Sequence, residues 1–287
     1  GYVALVGRTN AGKSTFLNTL MESKISIVSE KPQTTRRRIL GIRTTPMGQA
    51  IFFDSPGIHV PRSRLNERMM KDVHAALADT DLILHFMDLS QCREDPFVFD
   101  MLRATRKPLI LVLSKADLVG RLSILPLISK LKDQCPWEEI VPISSVRNEN
   151  IELLEGLIFK HLPPGIPIFP EEEVTSQTER FYLGELIREQ ILNLTRDELP
   201  FTTSVRVEEM ADHGATRYIR AQIYVEHQNQ RRILIGRQGQ LLKTIGTGAR
   251  QEMEAYYGGR KVFLELFIKV VPDWRNSEFL LGDVLDN

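Results

Sequence analysis

A chain of 287 residues, 42% hydrophobic and 26% charged, is long enough for two globular domains with sizeable cores. Its 37 lysines and arginines balance 37 aspartates and glutamates, which excludes a molecule that is basic overall and confines any nucleic-acid surface to a local patch. No apolar run reaches the roughly 20 residues of a membrane-spanning helix, and the only cysteines, Cys92 and Cys135, lack metal-ligand spacing, which argues against a disulfide framework or a zinc site.

The chain opens on "GYVALVG", which reads as a strand rather than as a charged-then-apolar leader, so a cytoplasmic location is expected. "YVALVG", "AIFFDSPG", "DLILHFMDL", "PLILVLSKAD" and "EIVPISS" are continuously apolar runs separated by helical stretches. That alternation predicts, over residues 1–162, an α/β domain with a mostly parallel sheet covered by helices on both faces. Between the first strand and the helix "GKSTFLNTLM", "GRTNAGKS" fits G-x-x-x-x-G-K-[ST], the context of a P-loop. The candidate phosphate-binding residues are Gly7, Arg8, Thr9, Asn10, Ala11, Gly12, Lys13, Ser14 and Thr15. Glycines let backbone N–H groups curl around phosphates, Lys13 adds charge toward the β- and γ-phosphates, and Ser14 supplies an oxygen to Mg²⁺.

Downstream, "KPQTTRRR" offers Thr34 and Thr35 in a polar segment, with Thr35 the expected third metal ligand beside Ser14 and Asp54. "FFDSPG" ends a strand on Asp54 and continues through Ser55, Pro56 and Gly57, whose N–H could sense a γ-phosphate. Lys13, Thr35 and Gly57 are the candidates for catalysis. Ile58 follows, where Ras-like proteins carry a water-orienting glutamine, so unaided hydrolysis should be slow. Ser114, Lys115 and Asp117 close a later strand in "SKAD". The Asp117 carboxylate can accept from guanine N1–H and its 2-amino group, donors that adenine lacks there. Lys115 can lay its stem on the base, and the "ISSV" turn (Ser144, Ser145, Val146) can present an N–H to the base oxygen. An asparagine is usual at position 114; Ser114 has one short hydroxyl, which predicts looser binding with guanine preference kept.

Residues 163–175, "PPGIPIFPEEEVT", are too rich in proline and acid for regular structure and read as an interdomain linker. Residues 176–287 then read as α-β-β-α-α-β with a C-terminal tail: a helix over 176–196, strands near 203–209 and 218–226, a helix through Ile233–Ile235, a loop "GRQG", a helix over 241–257 and the strand "KVFLELFIKV". A lone G-x-x-G is uninformative; within this order Gly236, Arg237, Gln238 and Gly239 point to a type II KH domain, whose loop clamps about four nucleotides. Arg231, Arg232, Lys243 and Arg250, with Arg260, Lys261 and Lys269, form the expected phosphate-facing patch.

The pieces "GRTNAGKS", "KPQTTR", "DSPGIH", "SKAD" and "ISS", followed by "IGRQG", resemble the bacterial Era family of GTPases over nearly the whole chain. The resemblance implies a GTP/GDP cycle with Mg²⁺, binding of 16S rRNA near its 3′ end through the KH domain, and a role in small ribosomal subunit assembly. It further implies a monomer, peripheral contact with the inner face of the cell membrane, and K⁺ assistance through Asn10. Ser55, Ser114 and Ser145 depart from the family's threonine, asparagine and alanine. The competing readings are a P-loop ATPase or kinase, disfavoured by Asp117, and an RNA-binding scaffold with a vestigial nucleotide site, disfavoured by Lys13, Ser14, Asp54 and Asp117 together.

Overall fold

The computed structural model describes residues 1–31, 33–58, 63–92, 94–277 and 281–282. The chain divides into two compact units. One comprises Gly1–Val28, Thr35–Val60 and Arg68–Ser176; the other comprises Gln177–Asn287 with the short segments Ser29–Thr34 and Pro61–Glu67.

The first unit runs β1 (Tyr2–Gly7), α1 (Lys13–Leu20), β2 (Ile39–Thr45), β3 (Gly48–Asp54), α2 (Arg64–Ala78), β4 (Leu82–Asp88), α3 (Pro96–Arg103), β5 (Leu109–Ser114), α4 (Arg121–Leu131), β6 (Trp137–Pro142) and α5 (Ile151–His161). Its six-stranded sheet has the order β2-β3-β1-β4-β5-β6, parallel except where β2 meets β3. The two-residue period of a strand sends Val3 and Leu5 to one face, where they join Phe16 and Leu17 of α1 and Leu154 and Ile158 of α5. It sends Ala4 and Val6 to the other, with Val73 of α2, Val98 and Leu102 of α3, and Leu131 of α4. Burial on both faces is the reason these strands read as unbroken apolar runs.

Strand β2 was not expected from the sequence. "ILGIRTT" carries three apolar residues, a glycine and a polar second half, because it is an antiparallel edge strand that is only partly covered. The proline-rich segment forms no helix or strand, as its composition predicts, yet it is anchored. Ile42 N donates to Val174 O (2.9 Å) and Thr175 Oγ1 to Leu40 O (2.7 Å). Buried Gln49 accepts from the N–H groups of Ile168 and Phe169 (2.8 and 2.9 Å) and donates to Phe169 O (2.9 Å).

Because β1, β3, β4, β5 and β6 run parallel, their C-terminal ends collect Gly7, Asp54, Asp88, Ser114 and Pro142 along one edge. That is the edge at which open α/β sheets bind ligands.

The second unit runs α6 (Glu179–Leu194), α7 (Leu199–Thr202), β7 (Ser204–His213), β8 (Thr216–Val225), α8 (Gln228–Ile235), α9 (Gln240–Tyr256) and β9 (Lys261–Val270). β8 lies central, antiparallel to β7 and parallel to β9. Thr178 caps α6 by accepting from Phe181 N (3.3 Å), and of the residues at helical spacing Leu183, Ile187 and Ile191 are wholly buried while Leu194, at the end of the helix, is exposed. The hairpin is longer than its sequence suggested: "ADH" continues β7 and the turn narrows to Gly214 (φ +59°). The one-turn α7 was also unexpected, since four residues are too short for a periodic signal.

Candidate functional site

The loop after β1 ends on Gly12 in the left-handed region (φ +86°) with no side chain capping α1, so the first N–H groups of that helix face the loop without an internal acceptor. Lys13 is buried, and its Nζ donates to the carbonyls of Gly7 (3.3 Å) and Arg8 (3.1 Å). Burial pulls its pKa down to about 8, with the Asp54 charge opposing. Asn10 is left-handed (φ 63°), Ala11 is buried, Thr9 and Thr15 are half-buried, and exposed Arg8 reaches Asp95 (3.6 Å).

Three oxygens meet beside the loop. Ser14 Oγ donates to Asp54 Oδ2 (2.6 Å) and lies 3.1 Å from Thr35 Oγ1. Ser26 Oγ, outside every motif read from the sequence, also donates to Asp54 Oδ2 (3.0 Å). Asp54 is wholly buried, which raises its pKa against the opposing influence of Lys13, Ser14 and Ser26. Its Oδ1 has no hydrogen-bond partner among the described residues. A buried, orphaned carboxylate oxygen beside two hydroxyls is a set of hard donors that suits Mg²⁺ and its waters. Thr34 turns aside, its hydroxyl donating to Lys31 O (2.7 Å).

Gly57 approaches the loop so closely that a Cβ would stand 2.6 Å from Thr9 N. Ser55 turns its hydroxyl to Leu5 O (2.7 Å), so its side chain braces β1 rather than facing the nucleotide side, and Pro56 is buried beside it. Ile58 N donates to Gly7 O (3.0 Å) while its side chain joins the apolar cluster around Val6 and Phe53. A glutamine there would bury an amide rather than reach a water.

At the other end of the edge, Ser144 Oγ donates to Asp117 Oδ1 (2.6 Å), fixing that carboxylate, and accepts from Arg147 N (3.2 Å). Ser145 O accepts from Thr19 Oγ1 (3.3 Å), and Val146 is exposed at the turn. Ser114 Oγ reaches Ala11 O (2.7 Å) and Met87 O (3.1 Å), so the short hydroxyl still ties β5 to the phosphate loop. Having only one proton to donate, it has nothing left for a base nitrogen. Ser114→Asn should therefore tighten GDP and GTP alike by about 1 kcal/mol, one recovered hydrogen bond. Competition titration at fixed magnesium checks this, and a gain confined to one nucleotide would contradict it.

In the second unit, Gly236 (φ +72°, ψ −177°) and Gly239 (φ +78°) bracket a tight turn in which Gln238 is also left-handed. A groove of about 460 Å³ opens between α9 and β9. It brings together Gly239, Lys243 and Arg250 with Leu242, Gly246, Thr247, Phe263 and Leu266. Arg231, Arg232, Arg237 and Gln238 are exposed but do not line it. The expected basic patch thus divides: Arg231, Arg232, Arg237, Lys243 and Arg250 have no ion-pair partner among the described residues. By contrast, Arg260 pairs with Asp212 (2.8 Å) and Lys261 with Glu254 (3.9 Å). The apolar lining was missed, although the run "GTG" inside a helix was a signal: at Gly246 a Cβ would already touch Leu266 at 3.4 Å.

The fold and these two constellations define a class: a P-loop GTPase domain joined to a KH domain. A profile described as a 50S ribosome-binding GTPase matches residues 2–115, and a KH domain profile matches residues 198–275. GTPase Era of Geobacter metallireducens is 41% identical over 288 residues, spanning 99% of this chain and 96% of that protein. GTPase Era of Heliobacterium modesticaldum is 41% identical over 287 residues, spanning 98% and 95%. Among solved structures, Era in complex with MgGDPNP and nucleotides 1506–1542 of 16S ribosomal RNA superposes with a TM-score of 0.95 at 39% identity, covering 99% of this chain and 97% of that one. An Aquifex aeolicus Era variant bound to GDP and AlF4⁻ gives the same TM-score of 0.95 and 39% identity, covering 99% and 98%. The chain belongs to the Era family of GTPases.

Proposed function

We propose that the chain is a GTP-binding, slowly GTP-hydrolysing switch that holds 16S rRNA near its 3′ end through its KH domain and assists small ribosomal subunit assembly. The observation that carries this is the presence of both constellations on one chain, in the order found in a relative solved with MgGDPNP and a 16S rRNA segment. In this reading the N–H groups of the Gly7–Thr15 loop and Lys13 hold the phosphates, and Ser14, Thr35 and Asp54 hold Mg²⁺. Asp117, fixed by Ser144, reads the guanine edge, with Lys115 on the base plane and the Ser144–Val146 turn at its oxygen. Gly57 packs so closely on Thr9 that no side chain fits there, its N–H is assigned to the γ-phosphate, and the buried Ile58 leaves the attacking water without a side chain to align it.

Gly236–Gly239 brings backbone to phosphate, while Lys243 and Arg250 line an open groove whose apolar residues offer bases a surface to pack on. The helices of the described residues include none long and apolar enough to cross a membrane. Peripheral contact with the inner membrane face and a monomeric state are supported by the resemblance alone.

The test is anisotropy of a labelled RNA carrying the 3′ sequence of 16S rRNA, titrated with protein loaded with a non-hydrolysable GTP analogue or with GDP. The triphosphate form should bind more tightly, and GTP but not ATP should restore binding to nucleotide-free protein. RNA affinity indifferent to nucleotide would favour the scaffold reading instead.

A further inference from the structure

We infer that Asp88 is a positioning residue for guanine-nucleotide binding, anchoring the Lys115 ammonium so that the lysine stem is already laid along the place of the base. The inference rests on the reading of Ser114–Asp117 as the base site.

Asp88 belongs to no nucleotide motif of the sequence; the sheet brings it there. β4 and β5 are parallel neighbours in which Asp88 stands opposite Ser114, so both reach the C-terminal edge together. Lys115 Nζ donates to Asp88 Oδ2 at 2.7 Å, across 27 residues of sequence. The pair is partly withdrawn from water: the Asp88 side chain is 10% exposed and that of Lys115 33%.

The carboxylate is itself held. Ser90 donates to Oδ1 through both its N–H (2.8 Å) and its hydroxyl (2.6 Å), and Gln91 Nε2 approaches Oδ2 at 3.4 Å. Burial pushes the Asp88 carboxyl up, but the bonds from Lys115 and Ser90 outweigh it and hold the group below the ordinary carboxylate range. Asp88 is therefore a fixed anion at neutral pH.

At the other end of the side chain, Lys115 is left-handed (φ 59°, ψ 39°), a conformation costly for a residue with a side chain and concentrated at functional sites. Ala116 N donates to Ile143 O (3.0 Å) and Leu118 N to Lys115 O (3.0 Å), which hold the backbone in that state. A lysine stem has four rotatable bonds, and ordering it on ligand binding would oppose affinity. Here the Cα is fixed by the turn and the ammonium by Asp88, so the stem between them is ordered in advance. A structural ion pair would stabilise the fold without affecting ligand; a positioning pair acts only through Lys115.

A double-mutant cycle separates these. Nucleotide dissociation constants for GDP and GTP are measured in the full chain for wild type, Asp88→Asn, Lys115→Met and the double variant. Lys115→Met should loosen both nucleotides; no change would sink the base-site reading itself. Asp88→Asn should loosen both by about five- to tenfold in the wild-type background and add nothing in the Lys115→Met background. Equal losses in the two backgrounds, or no loss in the first, would overturn the positioning role while leaving the base site intact. Ser90→Ala, which keeps the charge and removes one tether of the carboxylate, should give a smaller loss of the same kind, again absent with Lys115→Met. It supplies the cycle if Asp88→Asn does not fold. Preference for GTP over ITP, which depends on Asp117 and the 2-amino group, should not change in any Asp88 or Ser90 variant.

Discussion

Lys13→Ala is expected to lower affinity for GDP and GTP at least about a hundredfold, roughly 2.7 kcal/mol, in a protein that remains folded. The loss is large because the ammonium sits buried in the curl of the phosphate loop, where a charge interacts with phosphate through little water. The fold should survive because, among the described residues, the Lys13 side chain is hydrogen-bonded only to the loop carbonyls of Gly7 and Arg8, and alanine favours the helix that begins at position 13.

A second signature follows from the ionisation of this lysine. Its pKa of about 8 in the free site means that above that pH this side chain is largely neutral while the site is empty. A bound polyphosphate stabilises the protonated form, so binding at about pH 9 should take up a proton. Calorimetry in buffers of different ionisation enthalpy should detect a larger uptake in wild type than in Lys13→Ala, where only the uptake at guanine N1 is left. Undiminished GTP affinity in the folded variant would remove the phosphate-site assignment.

The other large effect is expected at the KH loop, and the two glycines there are not equivalent. Gly236 combines φ +72° with ψ −177°, and a Cβ would stand 2.8 Å from that of Leu241, so a side chain disturbs the turn itself. Gly239 is left-handed with nothing within 4 Å of where a Cβ would lie. Gly239→Asp therefore puts an anion into open space, in a conformation that aspartate tolerates better than most residues. It should weaken RNA binding at least tenfold, most at low salt, while GTP binding is unchanged. Adding Gly236→Asp should abolish RNA binding and also lower the melting temperature. Arg237→Ala should give a smaller loss and reduce the slope of log affinity against log salt by about one, as a phosphate contact would. Full RNA affinity of Gly239→Asp at moderate salt would place the RNA elsewhere.

The sequence disclosed the parts whose chemistry demands particular residues in a row. The phosphate loop, "DSPG", "SKAD" and "GRQG" are backbone-shaped anion or base sites, and each is local enough to read. The central strands were legible because both of their faces are buried. Features assembled across the fold were not. Ser26, in the loop after α1, and Asp88, at the end of β4, meet their partners only in the folded chain, 28 and 27 residues away, and neither belongs to a motif. The shortness of the Ser114 hydroxyl was legible, but its commitment to Ala11 O and Met87 O, which leaves nothing for the base, is set by the fold. Adjacency in sequence does not reveal that, within the basic patch, Arg260 and Lys261 stand within ion-pair distance of Asp212 and Glu254.

The anchoring of residues 168–175 bears on how the first domain can be isolated. β2 is an edge strand, and an uncovered edge offers free N–H and C=O groups on which another chain can add a strand. Val174 O and Thr175 Oγ1 occupy part of that edge, and Gln49 clamps the chain just before them. A domain cut at residue 162 would lose this cover together with the bonds of buried Gln49 to Ile168 and Phe169, and should self-associate. One ending after Ser176 keeps the edge blocked, so the proline-rich segment is better regarded as a gatekeeper against intermolecular strand pairing than as spacer alone.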